Sequence, residues 1–123
     1  MAQELVSRNS DAIDLPALFA PTPNAAKRFV EFFTANIRNP NTRRAYTRAA
    51  GDFSAWCDTA GLTDLHDIEP VHVAAYIEGL QLRLSAPSVK LHLAGIRMLF
   101  DWLVIGQFLA VNPASSVRGP KHP

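Results

Sequence analysis

Cysteine is nearly absent from this chain of 123 residues, with Cys57 alone. An internal disulfide is therefore excluded, a single thiol suggests no metal site, and a reducing, cytoplasmic setting is the simplest expectation. The four histidines, His66, His72, His92 and His122, stand at no metal-ligand spacing with Cys57, so surface or partly buried roles are expected for them. No stretch approaches the roughly 18 uninterrupted apolar residues of a membrane span. The first residues carry Glu4, Asp11 and Asp14 without an apolar run, which speaks against a signal peptide. No glycine-rich phosphate loop and no catalytic pair of side chains is evident, so neither a cofactor nor an enzymatic reaction is expected of this chain alone. Strand-like alternation and internal repeats are missing too.

What is present is a sorted charge. Lys27, Arg28, Arg38, Arg43, Arg44 and Arg48 face only Glu31 in the stretch 27–48. Asp52, Asp58, Asp64, Asp67, Glu69 and Glu78 follow without any lysine or arginine between them. From residue 83 onward Arg83, Lys90, Arg97, Arg118 and Lys121 oppose Asp101 alone. The net charge of +1 hides this layout. If the two basic stretches converge in space they form a patch for a polyanion, with nucleic acid the first candidate.

Helical periodicity organises the rest. Residues 1–23 read as a flexible tail ending in Pro21-Thr22-Pro23, with poor order expected although Leu15, Leu18 and Phe19 offer apolar side chains that could dock. Asn24 is placed to cap a helix to about Arg38, with Phe29, Phe33 and Ile37 inward, broken by Asn39-Pro40-Asn41. A second helix from about Thr42 to Thr59 buries Tyr46, Ala49, Ala50, Phe53, Trp56 and Cys57. At ~100° per residue Arg44 and Arg48 fall opposite that stripe and Arg43 on its flank, and Gly61 stops the helix. Pro70 opens a third, with Val73, Tyr76, Ile77 and Leu80 inward. Ser85 caps a fourth, to about Ile105, with Val89, Leu93, Ile96, Phe100 and Leu103 inward. Leu91, Met98 and Ile105 add a second apolar line, and Lys90 and Arg97 share a polar edge. After Gly106, Asn112-Pro113-Ala114 begins a short extended stretch, and residues 115–123 read as the start of a linker. The class is all-α, with four main helices and a domain over 24–114.

The segments NTRRAYTRAAGDFSAWC at 41–57, IEPVHVAAYIEGL at 68–80 and SAPSVKLHLAGIRMLFDWLVIGQFLAVNPA at 85–114, with VRGPK at 117–121, carry a resemblance. Their order and spacing resemble the N-terminal core-binding, SAM-like domain of the tyrosine recombinases, the phage-integrase family, over about residues 25–121. Glu69 stands where Thr or Ser is commoner, and Ser88 where Thr is. The resemblance implies a four-to-five-helix orthogonal bundle that covers one face of a recombination site. Its second and fourth helices would approach the major groove and its linker would cross the DNA. It also implies a following catalytic domain with an Arg, a Lys, a His-x-x-Arg motif and a tyrosine nucleophile, which this chain lacks. Double-stranded DNA, that domain and other recombinase protomers are the implied partners, in a bacterial or phage-encoded protein with no membrane role.

Ten residues are candidates for DNA contact. Arg43, Arg44 and Arg48 can reach phosphates or base edges; the bland alternative is a solvated face with Arg48 paired to Asp52. The hydroxyls of Thr42 and Ser88 can bond phosphate at helix N-termini or merely cap. Lys90, Arg97 and Arg83 are candidate phosphate contacts, with Asp101 competing for Arg97, and Arg118 and Lys121 join them from the linker. Tyr46, Tyr76, Trp56 and Trp102 read as core residues. A helical protein-interaction module docking through Leu91, Met98 and Ile105 is the alternative.

Overall fold

A computed structural model of the chain describes residues 17–19 and 22–120. Four helices follow in order, α1 (Pro23–Asn36), α2 (Pro40–Thr59), α3 (Pro70–Gln81) and α4 (Ala86–Ile105), with 3-10 turns at Ala17–Phe19 and Leu65–Asp67. No strand occurs among the described residues, so the all-α expectation holds.

Every helix begins with proline in its first turn, where the missing N–H costs nothing because that group has no partner inside the helix. The caps differ from expectation at two of the four. Thr22, not Asn24, caps α1, its Oγ1 accepting from the Ala25 N–H at 3.1 Å. Asn39 caps α2 by accepting from the Asn41 N–H at 2.8 Å, which moves Thr42 inside the helix. In both, Pro at the first helical position selects the preceding Thr or Asn as the half-extended cap. Ser85 caps α4 as expected. Gly61, at φ +81°, reverses the chain after α2, and the Leu62 N–H closes on the Cys57 carbonyl at 2.8 Å.

The centre of the molecule is aromatic. Phe53 of α2 contacts Tyr76 of α3 and Phe100 of α4 edge-on, with ring centroids 5.1 and 6.1 Å apart. Phe29 of α1 meets Trp102 of α4 at 5.1 Å. Such pairs each add about 0.5–1.5 kcal/mol beyond the area they bury. The inner residues expected for α1, α3 and α4 are buried, whereas Tyr46 and Trp56 of α2 are half-buried.

Two expectations about the ends are corrected. Phe19, assigned to a flexible tail, is fully buried, stacked on Phe53 at 6.3 Å and edge-on to Phe100 at 5.9 Å. An aromatic side chain of this size, once in contact with the core, is held by its burial, and the 3-10 turn follows from that packing. Leu15 and the tail before Ala17 lie outside the described residues. The Asn112-Pro113-Ala114 segment is a turn rather than an extended stretch, since the Asn112 Oδ1 accepts from the Ala114 N–H and the Val117 N–H bonds the Ala114 carbonyl. Ala114 and Val117 are buried, so the first part of the supposed linker belongs to the packed body.

α4 packs most extensively on α2 and to a lesser degree on α3. The approach is close because Gly95 faces Tyr46: a Cβ on Gly95 would stand 3.2 Å from the Tyr46 Cα. This crossing sets the relative position of the two helices that carry most of the candidate side chains.

Candidate nucleic-acid interface

The outer face of α2 presents Arg44 and Arg48, both exposed, one turn apart. Arg43 is half-buried on the flank, and Thr42 is half-buried within the first turn. The Arg44 guanidinium donates to the Asn41 Oδ1, which steadies it over the N-terminus of the helix. Among the described residues Arg48 forms no ion pair with Asp52, the pairing that would have occupied it.

The second basic stretch divides. Arg83 is exposed in the tight turn after α3, where its N–H bonds the Leu80 carbonyl. Arg83 and Arg48 both act on the half-buried imidazole of His92 on α4. Burial lowers the His92 pKa first; Asp52 opposes that, and Arg83 and Arg48 push it down further. Asp52 and Arg83 likewise bear on the buried Tyr76 phenol, which burial pushes up to about 12. Arg48, Asp52 and Arg83 are therefore all near enough to His92 for their charges to act on it, and Asp52 and Arg83 to act on the Tyr76 phenol as well. His92 thus feels one arginine from each basic stretch and one carboxylate of the acidic middle. Other acids of that middle are engaged elsewhere: Asp64 bonds the His66 ring at 2.9 Å, and Asp58 lines a groove of about 530 Å³ between Leu18 and α2.

Ser88 opens onto α4 beside this region, half-buried. Its oxygen accepts from the Ser85 Oγ at 3.0 Å, while its N–H reaches the same Ser85 oxygen at 3.4 Å. The Ser88 O–H can still donate to an anion near the helix N-terminus.

Lys90 and Arg97 point the other way. Helical geometry sets Lys90 about 160° from His92 and about 140° from Gly95 around α4, away from the α2 crossing. The Arg97 Nε donates to the Ala114 carbonyl at 3.2 Å and a terminal nitrogen to the Val117 carbonyl. Asp101, expected to compete for Arg97, instead accepts from the Asn112 Nδ2 at 2.7 Å. Lys90 is half-buried, with its stem near Gly119. Arg118 is exposed and lines a groove of about 390 Å³ with Pro70, Val71, Glu78 and Gln81 of the α3 region. Lys121 lies outside the described residues.

Thus Arg44 and Arg48 share the outer face of α2, and Arg48 and Arg83 both act on His92, whereas Lys90, Arg97 and Arg118 are associated with the segment after α4. The sequence did not reveal this split, because charge order along a chain does not say which side of α4 the returning segment covers. No group of three or more metal-ligating side chains exists among the described residues. No helix there is long and apolar enough to cross a membrane.

Residues 25–107 match the family model described as phage integrase, N-terminal SAM-like domain. Among curated proteins, the chain is similar to tyrosine recombinase XerC of Xylella fastidiosa strain M23, 31% identical over 100 residues that make up 76% of this chain and 34% of that protein. It is also similar to tyrosine recombinase XerC of Vibrio atlanticus strain LGP32, 26% identical over 107 residues, 82% of this chain and 34% of that protein. Over a shorter stretch of 40 residues, 32% of this chain and 13% of the relative, it is 48% identical to tyrosine recombinase XerC of Escherichia coli strain HS. The chain spans about a third of the length of the first two relatives. No solved structure matches significantly.

Proposed function

The chain belongs to the phage integrase family, as its N-terminal SAM-like domain, and from that premise we propose that it is the DNA-binding module of a site-specific tyrosine recombinase. It grips one face of a recombination half-site in duplex DNA and cuts no strand by itself. Strand cleavage falls to a catalytic domain of the same polypeptide, and other recombinase protomers are its neighbours on the DNA.

The observation that carries this reading is the pair of exposed arginines Arg44 and Arg48 one turn apart on α2, with Arg83 of a separate element near enough that its charge and that of Arg48 both act on His92. Arginines supplied by separate elements suit a duplex backbone, because their guanidinium forks can bond phosphate or guanine bidentately. Burial keeps His92 neutral near pH 7, so the arginines supply the positive charge of this face. Asp52 within the cluster repels phosphate and limits how DNA can lie against it. Arg43 and the hydroxyls of Thr42 and Ser88, near the N-terminal ends of α2 and α4, would serve as further phosphate contacts. Arg118 and Lys121 would add theirs where the chain leaves the domain.

Fluorescence anisotropy with duplex DNA at several salt concentrations tests the assignment. Log affinity should fall with log salt by about 0.9 per phosphate contact. Replacing Arg44 and Arg48 with Ala should reduce that slope by about two contacts if both touch phosphate, or relax base preference by about 1–3 kcal/mol per contact if they read bases. Absence of salt-dependent binding to either specific or random duplex would overturn the proposal and favour docking of a protein on exposed Leu91 and Ile105 instead.

A further inference from the structure

We propose that Arg97 is a positioning residue, which with Asn112 folds the chain after α4 back along that helix and so delivers Arg118 to the groove beside α3 that it lines with Glu78 and Gln81. The course of the backbone supports this step by step. Asn112 lies beside the later part of α4, donating from its Nδ2 both to the Arg97 carbonyl at 3.1 Å and to the Asp101 Oδ1 at 2.7 Å. Its Oδ1 accepts from the Ala114 N–H at 2.8 Å, which starts the turn. The Arg97 fork then takes the carbonyls of Ala114 and Val117. Two residues further on, Gly119 packs near the Leu93 and Lys90 side chains. From Asp101 back to Lys90 the segment thus retraces about 16 Å of α4, at ~1.5 Å of rise per residue.

Arginine suits this task. Its planar fork presents several N–H groups in fixed directions, so one side chain can hold two carbonyls in a turn, which a lysine ammonium cannot do with the same geometry. Both carbonyls belong to buried residues, Ala114 and Val117, where an unmatched acceptor is costly. Arg97 itself is half-buried, and the bonds it makes draw its charge away from solvent on that edge. Without the tether the chain would leave the domain near the C-terminal end of α4, and Arg118 would be displaced from the α3 groove that it lines with Glu78.

The functional part of this inference rests on the proposed DNA-binding role; the tether itself does not, and two readouts separate them. The first is amide hydrogen exchange on Arg97→Gln and, as a second release of the same turn, Asn112→Ala. Exchange of the Ala114 and Val117 amides should rise by about tenfold or more, in keeping with local opening after loss of a charge-assisted bond. Amides in the middle of α4 and α2 should keep their protection. Unchanged exchange at Ala114 and Val117 in both variants would overturn the tether. The second is a double-mutant cycle of Arg97→Gln with Arg118→Ala, read by DNA anisotropy against salt. Arg118→Ala should lower affinity in the native background and have little further effect once Arg97 is replaced. If Arg97→Gln lowers the salt slope by about 0.9 equally in both backgrounds, Arg97 itself touches phosphate and the positioning role is wrong. A native chain that binds no duplex at all refutes the DNA-binding role, while the exchange data still decide on the tether.

Discussion

Gly95 of α4 lies against Tyr46 of α2 so closely that a Cβ on the glycine would be 3.1 Å from the Tyr46 Cδ1 and 3.2 Å from its Cα. The ring can turn aside, but the Cα cannot move without shifting α2. The two helices that carry Arg44, Arg48 and Ser88 therefore keep their spacing through the absence of one methyl group.

Gly95→Ala should destabilise the domain by about 1–3 kcal/mol, as overpacking in a tight helix crossing does. Gly51 and Gly79 are the controls. Both have open space where a methyl group would stand, and neither has positive φ. Alanine at Gly51 or Gly79 should instead stabilise by about 0.4–1 kcal/mol through helix propensity and a less mobile unfolded chain. Urea denaturation of the three variants checks the contrast; equal effects at all three sites would show that the Tyr46 contact does not limit the crossing.

Phe19→Ala should cost about 3–5 kcal/mol, the range for truncating a fully buried phenylalanine. A chain beginning at Thr22 should lose a similar amount, because it removes the same ring from between Phe53 and Phe100. Thermal melts of both against the parent chain are the measurement. A change within error would mean that the segment before α1 adds nothing to the core.

His92 gives the domain an acid-side weakness. Its folded pKa is depressed, mainly by burial, so the folded state stays neutral at pH values where the unfolded chain, near 6.5, is taking up a proton. The unfolded state binds more protons in that window, and stability must rise with pH across it. The contribution is fully present above about 6.5 and is lost progressively as pH falls from there towards the depressed folded value. Denaturation of the parent chain and His92→Gln at pH 7.5 and 5.5 should show a smaller acid loss in the variant. Parallel pH profiles would locate the acid sensitivity elsewhere.

Tyr76→Phe should leave stability unchanged or raise it by up to about 1 kcal/mol. The Tyr76 hydroxyl is buried without a hydrogen-bond partner, so its removal relieves a desolvated polar group while the ring contacts with Phe53 and Trp56 remain. A clear loss of stability would reveal a bond to the hydroxyl that matters in solution.

The bounds of α3 and α4 and the buried stripes of α1, α3 and α4 were legible from periodicity, because a helix that packs on one side must repeat its apolar residues near 3.6, whereas on α2 the period also marked Tyr46 and Trp56, which are only half-buried. The outward direction of Arg44 and Arg48 followed from the same period. Caps were less legible where Thr22 competes with Asn24 and Asn39 with Thr42, since several residues nearby have a suitable oxygen. Phe19 is recognisable in the sequence as a residue that could dock, but not as a fixed part of the core, because a short apolar segment between prolines has no helical period to mark it. Gly95 carried no signal either: a glycine inside a helix looks like a weak point until the neighbouring helix is seen against it.

Composition, helix period and segment order were thus enough to settle the all-α class and to bring the family into view, because these are local or cumulative properties of the chain. The grouping of the cations was not such a property. The packing of α2, α3 and α4 brings Arg48 and Arg83 near enough to His92 for their charges to act on it, while Arg97 is turned to the carbonyls of a segment 17 to 20 residues further on. Hydrogen bonds between residues so far apart along the chain depend on where the backbone returns, and that course is set by the core as a whole rather than by any stretch of letters.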